Sequence, residues 1–175
     1  MDCVSAYFVV YYQKTIEVSV MIRRAEAKDL AAVNDLLRQV LTVHADGRPD
    51  IFIAGTKKYT DEALLSLFAD DSRPVFVRTD EHDRAVGHAF CVIEETKGVP
   101  NLHDRKTLYI DDICVDEAHR RQGIAAELYR FVREYARSIG CCQITLNVWE
   151  MNPGAKRFYE SMGMKPLKTV MEEVL

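Results

Sequence analysis

Between Leu108 and Trp149 the chain places one long amphipathic helix between two apolar segments, an order that few folds accommodate. Ile124, Leu128, Phe131, Val132, Tyr135 and Ile139 recur at three- and four-residue spacing and form a single stripe. Glu127, Arg130, Arg133, Glu134 and Arg137 cover the opposite, solvated face. Gly140 stands just past the last apolar position, where a helix commonly ends. Leu108 to Val115 before it and Ile144 to Trp149 after it have the composition of strands. Strand, helix, strand in that order predicts a right-handed crossover joining two parallel strands.

The segments before this unit predict a different kind of pairing. Ile22 to Ala25 reads as a short strand, followed by a helix carrying Leu30, Val33, Leu37 and Val40 or Leu41, with Asp29 at its positive end. A polar connection from His44 to Gly55, broken by Gly47 and Pro49, leads to a second helix capped by Thr60 with Leu64, Leu67 and Phe68 on one side. Val75 to Arg78 and Ala85 to Glu94 flank the polar tip Thr79 to Arg84, a hairpin signature. After Trp149, Asn152-Pro153 opens a last helix that stops at Gly163, and Lys168 to Leu175 is expected as a final strand. The expected fold class is α+β: a mixed, mostly antiparallel sheet with one parallel pair, flanked by helices.

At 175 residues the chain has the length of one domain with a continuous core. Apolar residues at 48% and charged residues at 29% exclude a disordered composition, and no apolar run is long enough to span a membrane. A net charge of -4 argues against nucleic acid as a partner. The acidic excess, including Asp111, Asp112, Glu94 and Glu95, suits a cationic substrate as well as ordinary solubility. Five cysteines without C-x-x-C spacing or a secretory leader imply reduced thiols and a cytoplasmic location, with Cys141 and Cys142 expected as small buried hydrophobes. His44, His82, His88, His103 and His119 lack zinc-ligand spacing, so no metal is expected, and His119 reads as a surface residue. Residues 1–20 stand apart. Val4 to Tyr12 is apolar and aromatic, whereas Met21-Ile22-Arg23 has the form of a domain start, so residues 1–20 are an extension or an interface element and residues 21–175 the domain.

The chemistry concentrates at Val115 to Ala125, VDEAHRRQGIA, where a strand ends, a basic turn follows and the long helix begins. Unpaired N–H groups, the positive end of the helix dipole and a glycine that admits close approach together favour a diphosphate. Arg120 and Arg121 add charge there, although a plain turn with solvated arginines fits this segment equally well. The glycines of a dinucleotide fingerprint and the Gly-Lys of a Walker loop are both missing.

Arg120-Arg121-Gln122-Gly123-Ile124-Ala125 resembles the pyrophosphate loop of the GNAT superfamily of N-acetyltransferases, R/Q-x-x-G-x-G/A. Asn152-Pro153-Gly154-Ala155-Lys156-Arg157-Phe158-Tyr159-Glu160-Ser161-Met162-Gly163-Met164 resembles that family's N-x-x-A-x-x-x-Y-x-x-x-G-F signature. The short loop is weakly specific alone; both motifs in order, each on its required element, are much more specific. The likeness runs from about Met21 to the C-terminus, with Ala125 where a second Gly often sits and Met164 in place of Phe.

The resemblance implies acetyl-CoA as cosubstrate and a primary amine of a small molecule or peptide as acceptor, attacked directly. It implies that the two parallel strands splay near Ile113 to Val115 and Ile144 to Trp149, that the backbones of Ile113, Cys114 and Val115 pair with the pantetheine amides, and that Asn152 holds the cofactor arm. By the same resemblance Tyr159 is the general acid and Asp111 the base. A core role for Tyr159 and a structural role for Asp111 are the plainer alternatives, and Asp112 would face elsewhere unless a bulge intervened. A non-catalytic CoA-binding module is the alternative function. Homodimers have precedent among relatives. The acceptor is set by the segment from Val43 to Tyr59, by the loops near Glu94 to Asp104, and by the loop after Gly163.

Overall fold

A computed structural model describes residues 21–175; the N-terminal segment 1–20, with its expected extension, lies outside the described residues. The elements are β1 (Ile22–Arg24), α1 (Leu30–Gly47), α2 (Asp61–Phe68), β2 (Val75–Thr79), β3 (Ala85–Thr96), β4 (Arg105–Val115), α3 (Ile124–Ser138), β5 (Gln143–Leu146) and α4 (Pro153–Ser161). Short 3₁₀ turns at Ala27–Asp29 and Glu117–His119 lead into α1 and towards α3. The strands lie in sequence order, antiparallel from β1 to β4, with β4 and β5 parallel across the α3 crossover. The mixed sheet expected from the sequence is present.

Each face of the sheet carries its own apolar layer. On one face Ile124, Leu128, Tyr129, Val132 and Ala136 of α3 cover Phe76, Val86, Ala89, Cys91, Leu108 and Ile110, and Phe158, Tyr159 and Met162 of α4 pack at the margin. On the other, Val33 and Leu37 of α1 and Leu64, Leu67 and Phe68 of α2 meet Val75, Val77 and Phe90. Thr60 caps α2 by accepting from the Ala63 N–H at 3.2 Å. Asp29 sits before α1, but its carboxylate is taken by the Arg23 guanidinium at 2.6 and 3.0 Å rather than by the helix end.

Three boundaries differ from expectation. α1 continues through His44 to Gly47, because Ala45 is buried and His44 stacks on Phe52, so tertiary contact extends a helix that local polarity would have ended. β5 ends at Leu146 instead of Trp149. Lys168–Leu175 is not a strand: it pairs with no described strand, Val170 and Met171 are 83% and 85% exposed, and the segment is tied down through Glu172, which accepts from Arg48 at 2.7 and 2.9 Å.

Two features of β4 place the site. Phe90 pairs with Asp112 and Cys91 with Ile110, leaving Asp111 as the extra residue of a β-bulge. The parallel pairing runs from Thr107↔Gln143 to Ile110↔Leu146 and stops, while β4 continues to Val115 against β3 alone. The two parallel strands therefore part at the bulge, slightly earlier on β4 than the sequence suggested. Leu128 is fully buried at the centre of the α3 layer. Truncating Leu128→Ala is expected to cost about 2–5 kcal/mol, to be read from urea denaturation midpoints.

Candidate functional site

The loop between β4 and α3 is built by local capping. Asp116 accepts from the Ala118 N–H at 2.9 Å, and Gln39 of α1 braces the turn by donating to Asp116 at 3.3 Å and accepting from the Glu117 N–H at 3.0 Å. The chain then reaches α3 through two left-handed residues, Arg121 (φ 64°) and Gly123 (φ 85°). Gly123 is the residue before the helix, and no side chain caps that helix start. The first-turn N–H groups of Ile124, Ala125 and Ala126 thus point out of the helix without intrahelical acceptors. A Cβ on Gly123 would meet nothing within 4 Å, so the space in front of these amides is open. Arg120 donates to the Val115 carbonyl at 3.3 Å, and neither Arg120 nor Arg121 has an acidic partner among the described residues. An open helix start flanked by two cations without carboxylate partners fits a diphosphate.

Across the strand parting stands α4. Asn152 caps it, accepting from the Ala155 N–H at 3.0 Å, with Pro153 in the first turn. Tyr159 projects from α4 towards α3, 6.4 Å from the Tyr129 ring, and its hydroxyl makes no hydrogen bond to the described residues. Burial, and then the negative charge of Asp112, push the Tyr159 phenol well above its ordinary value, so it keeps its proton throughout the neutral range.

The bulge changes the expected arrangement of the acidic pair. Strict alternation would send Asp111 and Asp112 to opposite faces; instead both meet groups on the α1 and α2 side. Asp111 accepts from the Lys58 ammonium at 2.7 Å, on the connection between α1 and α2. Asp112 lies 2.8 Å from Nε2 of His88, which stacks edge-on against Phe90 of the α1 and α2 layer. His88 is fully buried, and its Nδ1 has no partner. Burial works against the Lys58 charge, but Asp111 outweighs it and holds the ammonium above its ordinary value. Asn147 donates to the Tyr109 hydroxyl at 3.2 Å beside this pair.

Three aromatic rings close the same side. His44 of α1 lies 4.9 Å from Phe52 and 6.3 Å from Trp149, and Phe52 and Trp149 meet edge-on at 5.4 Å. Arg48 covers the Trp149 ring at 6.0 Å. Burial pushes the His44 imidazole below its ordinary value, with Asp112 opposing and Lys58 reinforcing that direction. Val43 to Tyr59 was legible as the variable segment, but His44, Phe52 and Lys58 were not legible as members of one cluster. His88 was missed altogether, since only the strand register brings it to Asp112. His119 is a neighbour of Asp116 at 3.3 Å in the loop turn.

Among the described residues no group of His, Cys, Asp and Glu could hold a metal ion, and no helix is long and apolar enough to cross a membrane.

Residues 38–164 match the acetyltransferase (GNAT) family. The chain belongs to this family. It is 38% identical over 128 residues to human N-acetyltransferase 8, a match covering 67% of this chain and 54% of that protein. It is 34% identical over 62 residues to a thialysine N-epsilon-acetyltransferase of Bos taurus, covering 35% of this chain and 36% of the other. The matched part of the chain thus spans about half the length of the human relative. Among solved structures, a mutant Bacillus halodurans protein superposes with a TM-score of 0.85 at 31% identity, covering 89% of this chain and 99% of that one. Glucosamine-6-phosphate N-acetyltransferase of Arabidopsis thaliana shares the fold, with a TM-score of 0.66 at 23% identity.

The GNAT chain's thiols divide by position. Burial pushes Cys91 and Cys114 up to about 12. Cys142, expected inside, is exposed, because β5 begins only at Gln143 and the Cys142 backbone is spent on the Lys106 carbonyl. A thiol reagent at neutral pH is expected to label Cys142 in the folded protein and to reach Cys91 and Cys114 only in denaturant, as read by peptide mapping.

Proposed function

We propose that the chain is an acetyl-CoA-dependent N-acetyltransferase that moves the acetyl group directly onto a primary amine of a small molecule or peptide. The observation that carries this reading is the parting of β4 from β5 beside an open, cationic helix start. The proposal assigns the diphosphate to the N–H groups and side chains from Arg120, Arg121, Gln122 and Gly123 to Ile124 and Ala125. Beyond the last β4–β5 pair, the backbone edge of Ile113, Cys114 and Val115 has no β5 partner and offers its amides to the pantetheine arm. Asn152 would hold that arm while still capping α4. A β4 N–H aimed at the thioester oxygen would act as an oxyanion donor, a device that contributes a few kcal/mol.

The acidic bulge supplies the acceptor side. Asp111 and Asp112 would draw an ammonium group, whose solution pKa of about 10 requires a proton to leave before attack. Asp111, half-exposed and shared with Lys58, would hold that ammonium in place while it loses its proton. On the other side the departing thiolate needs a proton, and Tyr159 holds one that burial keeps in place. Direct attack is supported by the thiols: Cys114, the cysteine next to the parting, is buried and far from thiolate character.

Two variants separate binding from chemistry, assayed by free-thiol release with lysine, thialysine, spermidine, glucosamine 6-phosphate, an aminoglycoside and a short peptide. Tyr159→Phe is expected to slow turnover about a hundredfold or more while CoA affinity in calorimetry stays close to wild type. Unchanged turnover removes Tyr159 from the reaction. Gly123→Val is expected to lose CoA binding by filling the open space before the α3 amides, and to lose some stability because a β-branched residue is strained at φ 85°; circular dichroism checks that the variant is folded before CoA is titrated. Wild-type protein that binds CoA yet releases no thiol with any amine would favour the non-catalytic CoA-binding module.

A further inference from the structure

The acceptor side contains a histidine that the assignments above do not use. His44 sits in the last turn of α1, where that helix abuts the connection from β5 to α4: a Cβ on Gly47 would collide with Met151. Its ring packs against Phe52 at 4.9 Å and Trp149 at 6.3 Å, two rings that also meet each other at 5.4 Å, and this three-ring contact holds the imidazole without using its nitrogens. Neither nitrogen bonds to a described residue, whereas Nε2 of His88 faces Asp112 and Nδ1 of His119 faces Asp116. Both bulge carboxylates are already engaged, Asp111 by Lys58 and Asp112 by His88.

We propose that His44 is the group that takes the proton from the acceptor amine, an inference that rests on the acetyltransferase reading. The amine arrives as an ammonium, and one N–H proton passes to a ring nitrogen of His44, giving an imidazolium. The freed lone pair forms the C–N bond at the thioester carbonyl carbon. The C–S bond then breaks with its electrons on sulfur, which takes the Tyr159 proton, and the second proton of the nitrogen restores the phenol. His44 returns its proton to solvent.

An imidazole is closer in basicity to an amine than a carboxylate is, and a base tuned near the working pH is the efficient one. Among the described residues, the charges that act on the ring are Asp112 and Lys58. Asp112 on β4 favours the imidazolium; Lys58 on the connection opposes it and is itself paired with Asp111. Arg48, just past the end of α1, is matched by Asp50 and Glu172. Burial decides the balance and favours the neutral ring. Because its folded pKa lies below the ordinary 6.5, proton-accepting capacity is present at neutral pH and lost as pH falls through that lowered value.

The test uses full-length protein and the amine of the panel that wild type acetylates fastest. Wild-type kcat/KM should fall on the acid side with an apparent pKa below the ordinary imidazole value. His44→Gln should bind CoA as wild type does, turn over about a hundredfold or more slowly at pH 7 and lose that acid limb. His44→Ala should be equally slow and partly recover with added imidazole. NMR titration of His44 in the wild type should give the same pKa as the limb, which keeps the test sound if a variant fails to fold. Wild-type rates in either variant, slow variants with an intact acid limb and no recovery by imidazole, or an NMR pKa that disagrees with the limb would each overturn the role. Failure of the acetyltransferase reading is distinct: wild type itself would then release no thiol.

Discussion

The separation of β4 from β5 is the constraint on which the rest of the site depends. A strand edge inside a folded protein must find partners for its N–H and C=O groups, and from Asp111 to Val115 the β5 side of β4 supplies none. The bulge at Asp111 makes this parting possible. It adds one residue to β4 while β3 continues in register, so the strand bends away from β5 without losing its hold on the rest of the sheet. The same bend delivers Val115 to the capped turn and then to the start of α3, so the free strand edge and the free helix amides are joined by one short connection.

The bulge also sets the electrostatics. By turning two successive carboxylates towards α1 and α2, it gives Lys58 and His88 their partners and places negative charge where it favours the protonated form of both Tyr159 and His44. Asp112 makes the phenol harder to ionise and the imidazole easier to protonate, but at His44 burial is the larger influence. On the proposed reading, the protonated phenol of Tyr159 and the imidazole of His44 would serve as proton donor and proton acceptor at neutral pH.

Much of this was legible in the residues. The stripe from Ile124 to Ile139 identified α3, and its place between two apolar segments required the crossover. Thr60 and Asn152 act as the caps their types suggest, and Gly123 adopts the left-handed conformation its position needed. The failures share a cause. α1 runs past Leu41 because Ala45 and His44 find packing partners distant in sequence, and Lys168–Leu175 stays unpaired although its apolar, β-branched pattern suits a strand. Local composition describes what a segment tolerates, whereas pairing depends on what lies beside it.

The sequence by itself determined the order of elements as far as α4, the crossover, the helix caps and the glycine at the loop, because each follows from periodicity or backbone freedom within a few residues. The tertiary structure alone decided which side the two aspartates face, that His88 meets Asp112, and that His44, Phe52 and Trp149 converge. Those outcomes turn on one extra residue in the β3–β4 register and on where α1 ends against the β5–α4 connection. Register is a relation between strands, and a one-residue shift in it redirects a side chain without leaving any mark on the local pattern.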